Sequence, residues 1–161
     1  MRRIRAMVEG KDLTLYFEPG RSLVAEAGVL LSRVLYRKST RTKEFIIVDA
    51  GMNDLIRPAL YDAYHEILPL RQNPMGTVRA DVVGPVCESG DFFAKDREMA
   101  NVMPGDLVAV MTCGAYGMVA GSNYNARTRP AEVLVEGGQW RVVRERESYH
   151  DLIRGERESP G

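Results

Sequence analysis

The stretch AEVLVEGGQWRVVR, residues 131–144, decides the fold class of this chain of 161 residues. Two runs rich in β-branched residues flank the Gly137-Gly138 pair, which is the pattern of a β-hairpin with a two-residue turn. Short runs of the same strand type precede it in residues 29–36, 44–49, 77–83 and 107–111. Many short strands at this spacing predict a mainly β domain, folded as an antiparallel β-barrel or sandwich.

The first 27 residues follow a different pattern. A short strand is predicted over residues 13–17, and a helical turn is predicted over residues 22–27 after a Pro-Gly break. This mixture of strand and helix does not fit the β pattern that follows it. We therefore expect residues 1–27 to be the last piece of a separate domain and residues 28–161 to form the β domain.

The composition excludes several classes of function. Lys and Arg number 22 and Asp and Glu number 22, so the chain lacks the basic excess of a nucleic-acid binder. No apolar run approaches the ~20 residues that span a bilayer, and the N-terminal sequence lacks the apolar segment of a signal peptide, so the cytoplasm is the expected compartment. Cys87, Cys113, His65 and His150 are too scattered to predict a metal site.

The first motif with chemical potential is EPGR, formed by Glu18, Pro19, Gly20 and Arg21. It lies between the predicted strand and the predicted helical turn. Backbone N–H groups at a helix start, a glycine that permits close approach and an arginine together suit a phosphate or another anion. The alternative is a tight turn with solvated charges.

The second motif is IRPALY, residues 56–61, in which Arg57 and Tyr61 are four residues apart. If Pro58 opens a helical turn, both side chains lie on one face of it. A guanidinium and a phenol that converge in this way suit a carboxylate. The alternative is a capped helix on the surface without a ligand.

The third motif is GPVCESGD, residues 84–91, a loop bounded by glycines that places Cys87 beside Glu88. Such a loop can present the Cys87 thiol as a proton donor and the Glu88 carboxylate as the partner of a cation. The alternative is a small, buried cysteine in a turn, which would be chemically inert.

The fourth motif is CGAYG, residues 113–117, which follows a predicted strand. Small residues on both sides of Tyr116 would leave its ring or its hydroxyl free to contact a ligand. The alternative is a tyrosine packed in the core. The four motifs together are far more specific than any one of them.

In the order EPGR, IRPALY, GPVCESGD, CGAYG, the chain resembles the C-terminal part of the diaminopimelate decarboxylases, pyridoxal-phosphate enzymes of the alanine-racemase-like fold group. The resemblance covers nearly the whole chain, including VDAGMNDLIRPALYDAYHEI and GAYGMVAGSNYNARTRPAEVLV. It implies a (β/α)8 barrel followed by an antiparallel β-barrel domain. Residues 13–17 would be the last strand of the first barrel, and EPGR its active-site loop.

The resemblance also implies roles around the cofactor, pyridoxal 5'-phosphate. Glu18 would face the pyridine nitrogen and help to keep it protonated, which makes the ring an electron sink. Pro19, Gly20 and Arg21 would lie near the cofactor, with Gly20 and Arg21 near its phosphate and Arg21 also near the substrate carboxylate. Tyr116 would contact both the cofactor and the substrate.

On the substrate side, Arg57 and Tyr61 match the groups that hold the distal carboxylate in these enzymes. Glu88 matches the group that binds the distal ammonium, and Cys87 matches the residue thought to protonate the carbanion left by loss of CO₂. In the family the Cys-Glu loop reaches across a dimer interface into the partner's site. The resemblance therefore implies a homodimer.

The chain departs from the family in what it lacks. The Schiff-base lysine, the histidine stacked on the ring and the glycine-rich phosphate loop belong to the N-terminal barrel. The four lysines here lie in charged or turn-like surroundings, without the apolar setting that lowers a lysine pKa: Lys11, Lys38, Lys43 and Lys95. We therefore expect this chain by itself to be inactive, and the N-terminal barrel to be needed for activity.

The resemblance implies decarboxylation of meso-2,6-diaminopimelate to L-lysine. One alternative is a decarboxylase domain of the ornithine or arginine type, and another is a non-catalytic dimerisation barrel. The residue after Cys87 favours the first function, because relatives that act on diamino monoacids have Asp where this chain has Glu88. The missing lysine favours the non-catalytic alternative.

Overall fold

Six strands form the main sheet of the computed structural model, which describes residues 2–71 and 76–157. Their order in the sheet is β3-β6-β1-β2-β4-β5. The strands are β1 (Leu30–Ser39), β2 (Glu44–Val48), β3 (Ile67–Pro69), β4 (Thr77–Val83), β5 (Phe92–Ala100) and β6 (Leu107–Val110). The prediction of a mainly β chain is confirmed, and β1, β2, β4 and β6 lie where the sequence placed strands.

The sheet curls into a nearly closed barrel, because its two edge strands, β3 and β5, approach each other. Arg97 of β5 donates a hydrogen bond from Nη1 to the backbone oxygen of His65, just before β3, at 3.0 Å. Its guanidinium carbon also lies 4.0 Å from the centre of the Tyr64 ring. A single arginine thus bridges the gap between the two edges.

One strand pair corrects the expectation of a wholly antiparallel sheet. β2 and β4 are parallel, with Phe45 opposite Asp81 and Ile47 opposite Val83, whereas the other pairs in the sheet are antiparallel. Parallel neighbours need a long crossover connection. Residues 49–76 supply it, and this crossover contains the helix α3 (Arg57–Tyr61) and β3.

The barrel encloses an apolar core drawn from all parts of the sheet. Its largest fully buried apolar side chains include Phe93, Ile46, Leu55, Val34, Val48, Val82, Val102, Val108 and Val110. Burying a Val, Leu, Ile or Phe side chain contributes roughly 1.5–3 kcal/mol relative to leaving it exposed. The core therefore fixes which face of each strand points inward, and hence the register of the sheet.

Two strands were missed because their sequences hide them. β3 has only three residues and ends at Pro69, which is tolerated at the edge of a sheet. β5 carries a run of four charged residues, and Asp96 within it has a φ of 49°, so the alternation of apolar and polar residues breaks. The register between β4 and β5 shifts nearby, between Ala80 and Val82.

The strand predicted over residues 13–17 is absent from the structure, which corrects that part of the expectation. A strand requires a neighbour that completes its backbone hydrogen bonds. Within the described residues this segment pairs with none, and Leu13, Tyr16 and Phe17 are exposed. The segment lies between α1 (Arg2–Val8) and α2 (Gly20–Val24), which a 3₁₀ turn over Ala25–Ala27 extends.

The predicted hairpin is present as β7 (Glu132–Glu136) and β8 (Gln139–Arg144), a separate two-stranded sheet. Gly137 and Gly138 have φ values of 55° and 82°, the left-handed region that a two-residue hairpin turn requires. The helix α4 (Tyr149–Leu152) follows, and Ser148 and Asp151 cap its start reciprocally. No helix in the described ranges is long and apolar enough to cross a membrane.

Glu147 follows the hairpin and is hydrogen-bonded to the segment that precedes the hairpin. Its carboxylate accepts hydrogen bonds from the backbone and the guanidinium of Arg129, at 2.8 and 2.7 Å, and from the Asn123 amide at 2.6 Å. The side-chain hydrogen bond from Arg129 contributes most to lowering the pKa of the Glu147 carboxyl, which falls from 4.5 to about 2. Folding therefore favours the ionised form of the Glu147 carboxyl.

A depressed native pKa stabilises the fold above the ordinary pKa of the group, and the stabilisation disappears as the pH falls through the native pKa. Glu147→Gln should therefore lower the free energy of unfolding by about 1–2 kcal/mol at neutral pH. The difference from wild type should shrink between pH 4.5 and about 2. Urea denaturation across this range, with the exposed Glu145→Gln as the control, measures it. A difference that does not depend on pH would contradict the assignment.

Candidate active site

A pocket of about 630 Å³ opens between α3 and the loop that follows β6. Pro58 lies in the first turn of α3, as the sequence predicts. Arg57 is the first residue of this helix and Tyr61 is the last. The loop contributes Tyr116 and the residues after it. The pocket is lined by Ile56, Arg57, Leu60, Tyr61, Tyr116, Val119 and Ala120.

Among the described residues, Arg57 is the one charged side chain that lines this pocket. Its guanidinium carbon lies 5.8 Å from the centre of the Tyr61 ring and 5.7 Å from that of the Tyr116 ring. Both distances permit cation–π attraction. Arg57 is half-buried, and no carboxylate pairs with it in the described part of the chain. The structure therefore brings Arg57, Tyr61 and Tyr116 together around a cation suited to an anion.

Tyr116 adopts an unusual backbone conformation, with a φ of 111°. Positive φ is uncommon for a residue with a large side chain, and such strain persists only where the surroundings fix it. The side chain is 45% exposed, so the alternative of a tyrosine packed in the core is wrong. Hydrogen bonds from Gly117 to Cys113 and from Ala120 to Tyr116 hold the surrounding turn.

The backbones of Gly28 and Gly114 touch, and this contact joins the EPGR segment to the loop of Tyr116. The Gly114 N–H donates to the Ala25 oxygen at 2.9 Å, and the Cys113 N–H donates to the Gly28 oxygen at 2.7 Å. A Cβ on Gly114 would overlap the Val24 oxygen, and one on Gly28 would lie 2.5 Å from the Gly114 Cα. Only glycines permit this approach.

The EPGR residues themselves are all exposed and do not line the Arg57 pocket. α2 begins at Gly20, two residues earlier than predicted, and Ser22 donates from Oγ to the Pro19 oxygen at 2.6 Å. Arg21 has no ion pair within the described residues. Glu18 and Arg21 therefore stay free for a ligand, and their roles remain predictions.

The loop of residues 84–91 is organised by Asp91, whose carboxylate is buried. It accepts hydrogen bonds from the backbone N–H groups of Met52 at 2.6 Å and Val86 at 2.5 Å. Burial raises the pKa of Asp91, while the two N–H groups and Arg127 act in the opposite direction. A Cβ on Gly84 would overlap this carboxylate, so the first glycine of the motif makes room for its last residue.

Cys87 and Glu88 lie on the outside of this loop, and both are exposed. The alternative of a buried cysteine is therefore wrong. Glu88 accepts hydrogen bonds from the Tyr124 hydroxyl at 3.4 Å and from the Gly90 N–H at 3.2 Å. Neither Cys87 nor Glu88 lines the pocket of Arg57, so this chain does not bring all the predicted substrate residues to one place.

Sequence reasoning missed Arg127, which ties the chain ahead of α3 to the segment after the Tyr116 loop. Arg127 donates from Nε to Asn53 at 2.9 Å and from Nη2 to the Asp49 oxygen at 2.5 Å, and it lies 3.7 Å from the Asp54 carboxylate. Burial raises the pKa of Asp54, and Arg127 is among the groups that oppose this. No local pattern marks an arginine whose partners are more than 70 residues away.

The chain matches a known class of domain. The family model described as the C-terminal sheet domain of the pyridoxal-dependent decarboxylases matches residues 21–114. The chain belongs to this family.

Within the family, the chain is similar to diaminopimelate decarboxylases. The enzyme of that name from Pseudomonas aeruginosa is 57% identical over 156 residues, which cover 97% of this chain and 37% of the relative. A crystal structure of the M. jannaschii enzyme superposes with a TM-score of 0.90 at 43% identity, covering 98% of this chain and 37% of that one.

The enzyme from Helicobacter pylori, crystallised with L-lysine, gives a TM-score of 0.84 at 47% identity, covering 95% of this chain and 38% of that one. The chain thus spans little more than a third of the length of these relatives. The expected family resemblance and the barrel fold are both confirmed.

Gly114→Ala should destabilise the chain by roughly 1–3 kcal/mol, because the new methyl group must push the Gly28 and Val24 backbones away. Gly155→Ala is the matched control, since a Cβ there meets nothing within 4 Å. Thermal or urea unfolding of both variants measures the difference. Equal stability of the two variants would show that the Gly28–Gly114 contact is not a close one.

Proposed function

We propose that this chain is the C-terminal part of a diaminopimelate decarboxylase, which converts meso-2,6-diaminopimelate to L-lysine and CO₂ with pyridoxal 5'-phosphate. Residues 1–27 would belong to the end of the preceding barrel domain and residues 28–161 to the β-barrel domain. The observation that carries the proposal is the unpaired Arg57 between the rings of Tyr61 and Tyr116. Its similarity to diaminopimelate decarboxylases from Pseudomonas aeruginosa and Helicobacter pylori supports it.

The distal end of diaminopimelate is an amino acid, with a carboxylate and an ammonium. Arg57 supplies a cation for the carboxylate, and the Tyr61 hydroxyl can donate a second hydrogen bond. Arg21 would hold the carboxylate at the substrate end near the cofactor. Glu88 supplies an anion for the distal ammonium. Hydrogen bonds to charged groups contribute about 1.5–3 kcal/mol each, so this set of groups would select a substrate with both charges.

The residues present fit pyridoxal phosphate at one edge of its site. Glu18 and Arg21 are exposed and without ion pairs in the described part of the chain, and the Gly28–Gly114 contact anchors their segment to the Tyr116 loop. Glu18 would hold the pyridine nitrogen of the cofactor. The Pro19–Arg21 turn, including the Arg21 side chain, would lie on the phosphate side, and Tyr116 would contact the edge of the ring. The bound cofactor would supply the electron sink for loss of CO₂.

The lysine that binds the cofactor would come from the preceding barrel. All four lysines of this chain are exposed: Lys11, Lys38, Lys43 and Lys95. Lys43 is paired with Asp81 at 2.6 Å, and the Lys95 ammonium lies 3.7 Å from the centre of the Phe92 ring. None of them lines the Arg57 pocket. The chain alone would therefore release no CO₂ from diaminopimelate.

Cys87 would hold the proton that replaces CO₂. The bond between the α-carbon and the carboxylate breaks, CO₂ leaves, and the proton on Cys87 Sγ moves to the α-carbon. Cys87 is exposed, as this role requires. Because Cys87 and Glu88 lie outside the Arg57 pocket of their own chain, we propose that they serve the site of a second copy in a cytoplasmic homodimer.

A decarboxylase of the ornithine or arginine type is the alternative within the same class. Its substrates have no distal carboxylate, so an unpaired Arg57 in an aromatic pocket would have no anion to bind. A non-catalytic dimerisation barrel would likewise leave the exposed Cys87 and the strained Tyr116 without a purpose. The Arg57 pocket therefore favours diaminopimelate.

The experiment needs the missing part of the enzyme, so the chain is fused to the remaining part of the Pseudomonas aeruginosa relative. In this fusion protein Arg57→Gln should lower kcat/KM for diaminopimelate roughly 10- to 100-fold, mostly through KM, because the distal carboxylate loses its cation. Arg57→Lys should recover part of this loss, since it keeps the charge but not the planar fork.

Arg41→Gln is the matched control, because Arg41 is exposed on the turn between β1 and β2, away from the pocket. It should leave both kinetic constants unchanged. If Arg57→Gln matches this control, the distal carboxylate is not bound at Arg57, and the assignment to diaminopimelate loses its main support.

Substitutions of Cys87 and of Glu88 should have different effects in the same kinetic assay. Glu88→Gln should lower kcat/KM for diaminopimelate roughly 10- to 100-fold, because the distal ammonium is bound more weakly and the substrate is misplaced. Cys87→Ala should instead lower kcat while KM changes little, because a proton donor acts after the substrate is bound. Should Glu88→Gln leave kcat/KM intact, the ornithine type of decarboxylase becomes the better interpretation.

A further inference from the structure

His65 is a buried imidazole that the proposed reaction does not use. It lies between α3 and β3 and is 2% exposed. Its Nδ1 is 2.8 Å from the backbone oxygen of Met111. Among the described residues, its Nε2 is the one buried side-chain nitrogen or oxygen without a hydrogen-bond partner.

The contact at Nδ1 and the lack of a partner at Nε2 fix the tautomer of the ring. A carbonyl oxygen can only accept, so Nδ1 must carry the hydrogen that is donated to Met111. A hydrogen on Nε2 would be a buried donor without an acceptor, which is costly. Burial lowers the pKa of His65; the Met111 carbonyl raises it, and the positive charge of Arg57 lowers it further. The ring is therefore neutral, with Nδ1 as its single donor.

The donor holds the start of the Tyr116 loop. Met111 is bound twice to the segment of His65, through this side-chain hydrogen bond and through its own N–H, which donates to the Glu66 oxygen at 2.8 Å. Thr112 follows with a φ of 62°, and the Cys113 sulfur lies 3.9 Å from Nδ1. The chain then reaches the contact with Gly28 and, two residues later, Tyr116.

We propose that His65 is a positioning residue for Tyr116: its Nδ1–H holds the Met111 carbonyl and so keeps the strained turn of Thr112 and Tyr116 in place beside Arg57. The inference rests on the proposed function for its catalytic consequence. Two non-glycine residues with positive φ within five positions need surroundings that hold them in place. The Cys113 thiol, within the turn, donates to the Val110 and Met111 oxygens at 3.2 and 3.5 Å. Within the described part of the chain, His65 supplies the one side-chain donor that reaches this turn from another segment.

Two amide substitutions separate positioning from simple packing. The amide nitrogen of an asparagine can occupy the place of Nδ1, whereas that of a glutamine extends toward the place of Nε2. His65→Asn should therefore keep the hydrogen bond to Met111, while His65→Gln and His65→Leu should lose it. Because Nε2 has no partner in the described residues, filling its place recovers nothing.

Hydrogen exchange on the full chain is the first measurement. Loss of the hydrogen bond should speed exchange of the Cys113 and Gly114 amides at least 10-fold in His65→Gln and His65→Leu, but less than 3-fold in His65→Asn. The Ser122 amide, which donates to the Asn53 oxygen, is the reference and should not change. Equal acceleration at all three amides, or the same result for Asn and Gln, would reduce His65 to a packing residue.

The wild-type tautomer provides a measurement that no folding defect can obscure. Nitrogen-15 chemical shifts of His65 should show a hydrogen on Nδ1 and none on Nε2. The opposite tautomer would overturn the proposal, because Nδ1 could then not donate to Met111.

Kinetics of the fusion protein tests the consequence for the site. His65→Gln and His65→Leu should raise KM for diaminopimelate about 10-fold, and His65→Asn should restore it to within about 3-fold. An unchanged KM in His65→Gln would break the link between His65 and Tyr116. A wild-type fusion protein that is inactive on diaminopimelate would count against the proposed function alone, since the exchange experiment still decides the role of His65.

Discussion

The backbone contact between Gly28 and Gly114 is the constraint on which the site depends. It brings together two stretches more than 80 residues apart, one leading out of the EPGR segment and one leading into the Tyr116 loop. Neither position can carry a side chain without moving the other backbone. The contact therefore sets where the exposed Glu18 and Arg21 lie relative to the barrel, although no side chain of the EPGR segment takes part in it.

The arginines of this chain differ in whether they have hydrogen-bonding or ionic partners, and this difference distinguishes the pocket. Arg127 and Arg129 are engaged with carboxylates and backbone oxygens, and Arg97 closes the barrel. Arg57 is half-buried between two aromatic rings with no acid to neutralise it in the described ranges. A cation held in that state is unfavourable without an anion. Its apolar surroundings also strengthen the attraction to any carboxylate that enters.

The sequence predicted those elements whose hydrogen bonds and patterns are local. The alternating strand β4, the two-glycine hairpin and the turn opened by Pro58 all appear at the expected places. It missed β3 and β5, because one is three residues long and the other hides its alternation behind a bulge at Asp96. It also predicted a strand over residues 13–17, where the apolar residues have no neighbouring strand within the described chain.

The sequence by itself determined the family, through the order of four motifs, and the shared face of Arg57 and Tyr61, through a spacing of one helical turn. Only the tertiary structure decided that Tyr116 joins them, that Cys87 and Glu88 lie outside their pocket, and that His65 holds the Met111 turn. Local spacing fixes side chains within one turn of a helix. Contacts across 45 residues or more depend instead on the register in which the barrel core packs, which no single segment encodes.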